Sequence, residues 1–406
     1  MEGFDKTGIG LYFIIVLFGI ANIYSVDADS GIKQAVWFGI SLFVGLIIFL
    51  NRTKFFENMA FIFYIIAILL LIGLFPFGSV INGQKNWYKF GGTTLQPVEF
   101  VKLAIALMLA SYCSHPDFNI ENRRSLLTSL GILVIPGILV LLQPDVGSLM
   151  VFLAFVIALF REGLSGWLFV IGFALVGVFL LSLIINPLYI IVSIISIAVL
   201  FLFFNRYKIQ WNPVTIGGIA LVLVIISGIS YASPILVEKL PKHQRERIEV
   251  LFKGEKAFRD TAGYNLLYSK TAIGSGGFFG KGFKEGSVTQ GQFVPEQRTD
   301  YIFCTVGEEW GFLGSSLLVI CYAIYIARIY YLSEAQKSTF NRVFGYCFAS
   351  ILMMHFVINI GMVMGLFPTV GIPLPYFSYG GSSLLAFSIM TAIFFKLNYS
   401  DKKSLV

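Results

Sequence analysis

Apolar stretches separated by short polar breaks run through almost the whole chain. One segment, Ser233 to Asp300, departs from the pattern by staying polar for nearly seventy residues. Runs of about 18 apolar residues can cross a ~30 Å hydrocarbon layer as helix, and backbone groups in lipid have to be satisfied within the segment. Hydropathy places spans at 8–26, 34–50, 58–77, 98–113, 125–142, 147–160, 166–184, 188–204, 213–232, 303–327, 343–365 and 380–397. The alternation of a β-barrel is absent from the sequence. The pattern predicts an all-α polytopic membrane protein, one integral domain with N-terminal helices over 1–232, a large extracytoplasmic loop over 233–300 and C-terminal helices over 301–406.

Composition agrees: 57% of residues are hydrophobic and 13% charged, against ~25% charged in soluble domains, and mean hydropathy is +0.82. The cations fix the orientation. With the N-terminus cytoplasmic, inside segments carry Arg52, Lys54, Arg123, Arg124, Arg161, Arg206, Lys208, Arg328, Lys337 and Arg342, whereas short outside segments carry only Lys33, Lys85 and Lys89. The net charge of +7 is thereby read as membrane anchoring, with no nucleic-acid partner. The first run, Gly8 to Val26, lacks a basic leader and a small-residue cleavage site and is read as a retained span. Cys113, Cys304, Cys321 and Cys347 stand singly, without metal-ligand spacing. The break Asn205–Gln210 reads as a cytoplasmic turn, and no repeat relates the two halves.

The outside loop holds the candidate chemistry. Lys242–Ile248 and Tyr264–Lys270 read as short surface helices whose cations suit phosphate or lipid headgroups. The glycines of Ala272–Gly282 permit close backbone approach, to a diphosphate or to a neighbouring helix; Ser275 and Gly282 break the Walker pattern. Asp300 ends the loop at the mouth of a span, one helical turn below Cys304 and two below Glu308, where partial desolvation makes a carboxylate a better general base. Glu308 and Glu309 exceed what a helix end needs. In the fourth span Pro97 suits a first turn, and Glu99 and Lys102 share a face as an intramembrane pair. Asp145, in Gln143-Pro-Asp-Val-Gly, marks another outer end, and Pro368–Ser383 reads as a rigid outer turn leading to a Ser-capped helix whose amides suit an anion. His355, alone on an apolar span, reads as a packed core residue.

Five ordered motifs carry a resemblance: Gln96-Pro-x-Glu99-x-x-Lys102; Gln143-Pro-Asp-x-Gly147; Ser269-Lys-x-Ala-Ile-Gly-Ser-Gly-Gly277; Pro295-Glu-x-x-Thr-Asp300-x-Ile-Phe303 with Glu308-Glu309-x-Gly311; and Asn359-Ile-Gly-Met362 to Ser378-Tyr-Gly-Gly-Ser382. With these the chain resembles the SEDS family (shape, elongation, division and sporulation) from first span to last. Val370–Pro375 is similar to the RodA (elongation) branch rather than the FtsW (division) branch. The resemblance implies a SEDS-type bundle in the bacterial inner membrane that polymerises lipid II into β-1,4 glycan strands during elongation. It implies work alongside a class B penicillin-binding protein transpeptidase and other elongation-complex proteins, with the active site facing the periplasm. Asp300 would be the essential acid. Glu99 and Lys102 would line the central cavity, with Asp145, Ser269, Lys270, Lys281, Arg298, Glu308, Glu309, Ser378 and Ser382 as further substrate-site candidates. No organic cofactor is expected; a divalent cation, Mg²⁺ or Mn²⁺, is a candidate for neutralising the diphosphate. Two departures stand out: Thr94 where many relatives are basic, and a region 166–232 long enough for two extra helices. A lipid II flippase and a non-catalytic scaffold remain the alternatives at this point.

Overall fold

The computed structural model describes residues 4–81, 84–204, 206–207, 212–240 and 242–403. Asn205 and Lys208–Gln210 of the expected cytoplasmic turn lie outside them. The helices, numbered along the chain, are α1 Lys6–Val26, α2 Ala28–Leu50, α3 Thr53–Phe77, α4 Pro97–Cys113, α5 Arg123–Leu142, α6 Val146–Phe152, α7 Ala154–Arg161, α8 Trp167–Ile184, α9 Pro187–Phe204, α10 Pro213–Lys239, α11 Lys242–Lys253, α12 Tyr264–Ser275, α13 Ser287–Gln290, α14 Ile302–Glu309, α15 Gly311–Glu334, α16 Thr339–Val363 and α17 Gly381–Lys403. Among the described residues, nine helices are long and apolar enough to cross a membrane, and Val146–Arg161 and Phe169–Ile184 are shorter apolar stretches. The molecule is a multi-pass membrane protein.

The chain forms two compact units. Residues 165–262 make one, in which α10 packs on α8 and α9. Here α10 runs seven residues past the expected boundary at 232, so the polar loop begins later than hydropathy suggests. The other unit holds residues 4–164 and 263–403 of the described chain and all the site candidates. At its centre α4 packs on α3, α16 and α17, and α17 also packs along α2. Pro97 opens α4, where its missing N–H costs nothing.

Two expected spans are broken. The span at 147–160 is interrupted at Leu153, between α6 and α7. The span at 303–327 divides at Trp310 because Gly311 adopts φ +63°. A Cβ on Gly311 would stand 2.2 Å from the amide nitrogen of Gly280. The two backbones can approach only because both positions lack a side chain. Gly276 likewise lies against Gly307, whose carbonyl oxygen would be 1.9 Å from an added Cβ. The Gly-rich segment thus serves close approach to a neighbouring helix.

Between α3 and α4 the chain also forms an antiparallel sheet that hydropathy does not predict, β1 Ser79–Ile81, β2 Gln84–Phe90 and β3 Thr93–Leu95 in that order. Tyr88 faces Leu95 and Phe90 faces Thr93. Tyr88 Oη donates to the Leu70 carbonyl at 2.8 Å, tying the sheet to α3.

Candidate functional site

Asp300 lies in a turn just before α14 rather than on the helix, so the helical spacing to Cys304 and Glu308 does not apply. The turn is fastened on both sides. Tyr379 N donates to the Arg298 carbonyl at 2.8 Å. Ser378 Oγ donates to the Thr299 carbonyl at 2.6 Å and accepts from Leu374 N at 2.8 Å. Asn359 Nδ2 on α16 donates to the Asp300 carbonyl at 2.8 Å and to the Ile372 carbonyl at 2.6 Å. The carboxylate itself is half-buried, and a Cβ added to Gly371, which sits at φ +73°, would be 3.2 Å from its Oδ2.

The strap 371–378 is held at successive residues. Besides the Asn359 bond to Ile372, Pro373 O faces His355 Nδ1 at 2.9 Å, and Pro375 O accepts from Tyr322 Oη of α15. Tyr376 takes φ +67°, rare for a bulky residue, and its hydroxyl meets Thr391 Oγ1 of α17 at 2.8 Å. Ser378 O accepts from Gln34 Nε2 at 3.1 Å, and Gly380 N donates to Gln34 Oε1 at 3.2 Å. The amides of Leu374 and Gly380 are therefore taken up by protein, and Ser378 ties the strap to the Asp300 turn instead of capping α17. Ser382 accepts from Gln96 N at 3.4 Å.

Glu99 and Lys102 form the expected pair, 2.8 Å apart and fully buried. The structure adds a third member. Lys102 Nζ is 2.7 Å from His355 Nε2, so this histidine is a partner of the ion pair rather than plain core packing. Phe387 lies beneath the ammonium, 5.5 Å from its ring centre. Glu99 Oε2 is buried without a hydrogen-bond partner.

Glu308 is enclosed by donors. It accepts from Lys281 Nζ at 2.7 Å, Val288 N at 2.9 Å, Thr289 N at 2.7 Å and Thr289 Oγ1 at 2.7 Å. Glu309 accepts from Ser25 Oγ of α1 and from Gln290 Nε2 at 3.3 Å. These two acids rivet the loop 281–290 onto α14, and Lys281 is engaged in the rivet. Asp145 is the N-cap of α6, accepting from Ser148 N at 3.0 Å and from Asn86 Nδ2 of β2 at 3.1 Å. Ser269 donates to the Val363 carbonyl at 3.2 Å, and Lys270 is exposed on α12.

Arg298 reaches across to the α1–α2 turn, 2.7 Å from Asp27 Oδ2. Hydrogen bonds from Ser30 and Arg298 hold the Asp27 carboxyl below its ordinary range, outweighing partial burial. Beside this latch is a cavity of about 380 Å³ lined by Asp27, Ser30, Lys33, Glu296, Arg298 and Tyr379, among others. Among the described residues, no group of three or more His, Cys, Asp or Glu side chains could hold a metal ion.

Of the expected residues, the structure gathers Arg298, Asp300 and Ser378 in one turn-and-strap assembly, Glu99 and Lys102 in a buried pair, and Lys281, Glu308 and Glu309 in the rivet. Sequence reasoning does not single out His355, Asn359 or Gly371 as site residues. The Asn359 motif is a signal for one of them; nothing local in sequence joins His355 to Lys102.

A helical membrane bundle with an acid-bearing turn strapped across one end defines the class. The chain belongs to the FtsW/RodA/SpoVE family of cell cycle proteins, the SEDS family, whose family model matches residues 4–209 and 188–403. It is 31% identical over 387 residues to the peptidoglycan glycosyltransferase MrdB of Escherichia coli K12, covering 94% of this chain and 90% of that one. It is 30% identical over 420 residues to the peptidoglycan glycosyltransferase RodA of Treponema pallidum, covering 97% and 94%. The fold matches a chain of a peptidoglycan synthase complex with a TM-score of 0.72 at 24% identity, over 99% of both chains. It matches Thermus thermophilus RodA with a TM-score of 0.63 at 24% identity, over 98% of both.

Proposed function

We propose that this protein is a peptidoglycan glycosyltransferase that polymerises lipid II during cell elongation, with Asp300 as general base. The observation that carries the reading is the half-buried Asp300 carboxylate on a turn fixed from α16 and the strap. The carboxylate takes the proton of the acceptor sugar's 4-hydroxyl. That oxygen attacks the anomeric carbon of the donor, the bond to the polyprenyl diphosphate breaks, and its electron pair leaves with the diphosphate. Inversion gives the β-1,4 linkage.

The departing anion needs positive charge nearby. Lys33, at the cavity beside the turn, suits that role better than Lys281, which Glu308 already engages, and Arg298 lines the same cavity while paired to Asp27. A divalent cation, Mg²⁺ or Mn²⁺, would arrive on the substrate's diphosphate. The site faces the periplasm from the inner membrane, with both termini cytoplasmic. A class B penicillin-binding protein is the proposed transpeptidase partner.

The test is polymerisation of lipid II by the purified protein, read as a glycan ladder. Asp300→Ala should lose about 10²- to 10⁴-fold in rate while keeping its melting temperature. A mutant at full rate would remove Asp300 from the mechanism. Leaflet transfer of lipid II without ladders would make the protein a transporter instead.

A further inference from the structure

We propose that His355 is a positioning residue through which the buried Glu99–Lys102 pair sets the Asp300 turn. The inference rests on the reading of Asp300 given above. Pro373 O can only accept, so His355 Nδ1 carries the hydrogen and donates to it. In a neutral ring Nε2 is then an acceptor, and it faces the Lys102 ammonium, which can only donate. One directed chain therefore runs from Lys102, anchored by Glu99, through the imidazole to the strap.

His355 and Asn359 are one helical turn apart on α16 and grip the carbonyls of adjacent residues, Pro373 and Ile372. Asn359 also holds the Asp300 carbonyl. Two residues before Pro373, Gly371 lies against the Asp300 carboxylate. A shift of the strap at Pro373 is thus felt at the reacting group, and misplacement by about 1 Å can cost about 10²-fold in rate.

The experiment compares His355→Asn, His355→Gln and Lys102→Met in the full-length protein, with lipid II as substrate. Asparagine keeps a donor near the Nδ1 position but cannot reach Lys102; glutamine offers Lys102 an acceptor but loses the Nδ1 donor. Each should lower kcat about tenfold or more with KM unchanged, and His355→Asn with Lys102→Met should be no worse than the weaker single variant within about twofold. Losses that multiply, or a single variant at full rate, overturn the proposal.

A second readout needs no catalysis. In a Cys321→Ala background, the thiol introduced by Asp300→Cys is titrated with a membrane-impermeant reagent. Both His355 variants should change its reaction rate by about threefold or more. An unchanged rate overturns the coupling. If Asp300→Ala polymerises normally, the general-base reading falls while this thiol measurement still decides the role of His355.

Discussion

Glu308 and Glu99 are both buried carboxylates beside a lysine, yet they are held in opposite ways. Glu308 has a donor from Lys281 and three from the 288–289 segment, while Glu99 has Lys102 on one oxygen and nothing on the other. A saturated acid closes a loop onto a helix. An under-satisfied one keeps electrostatic strength that the fold alone does not use, as expected of intramembrane charges at working sites.

Deleting the saturated acid should have the larger effect on stability. Glu308→Ala leaves the backbone donors of Val288 and Thr289 unpaired, and we expect a loss of about 3–5 kcal/mol, measured by thermal unfolding in detergent. Removing both charges of the other pair should do much less to the fold. Glu99→Gln with Lys102→Met is expected to unfold within about 1 kcal/mol of the parent yet lose most of its polymerisation, because the two neutral side chains leave no desolvated charge behind. If the double variant were both stable and active, the contrast between the two acids would carry no functional meaning.

The smallest effect should come from the exposed latch. Asp27→Asn removes the Arg298 pair at a cost of about 0–1 kcal/mol. Because the Asp27 pKa is lowered, its contribution is complete above the ordinary carboxylate pKa and is lost only as pH falls through the lowered value. Lowering the assay from pH 7 to pH 5 should therefore leave the latch closed, and parent and variant should show parallel activity profiles over that range.

The spans are legible in the sequence because lipid imposes length and hydropathy on each one, and Pro97 marks the start of α4. The breaks at Leu153 and Gly311 are not, since averaged hydropathy is blind to a turn inside an apolar run. The Gly311 break depends on Gly280, thirty-one residues earlier in the chain. The sheet has a signal in Asn82-Gly83, a dipeptide that favours hairpins, although those two residues lie outside the described ones. His355 reads as core because its partner Lys102 is 253 residues away. Glu308 and Glu309 stand out as unusual from their position alone, but their donors come from a loop whose path only the fold determines.

The strap 371–378 is bonded to side chains from α2, α15, α16 and α17. Sliding any of those helices would break a buried hydrogen bond, at about 1–3 kcal/mol each. Under the proposed reaction the carboxylate is consequently a fixed anvil, and it is the glycan that must travel, advancing by one disaccharide past a stationary point after every bond formed.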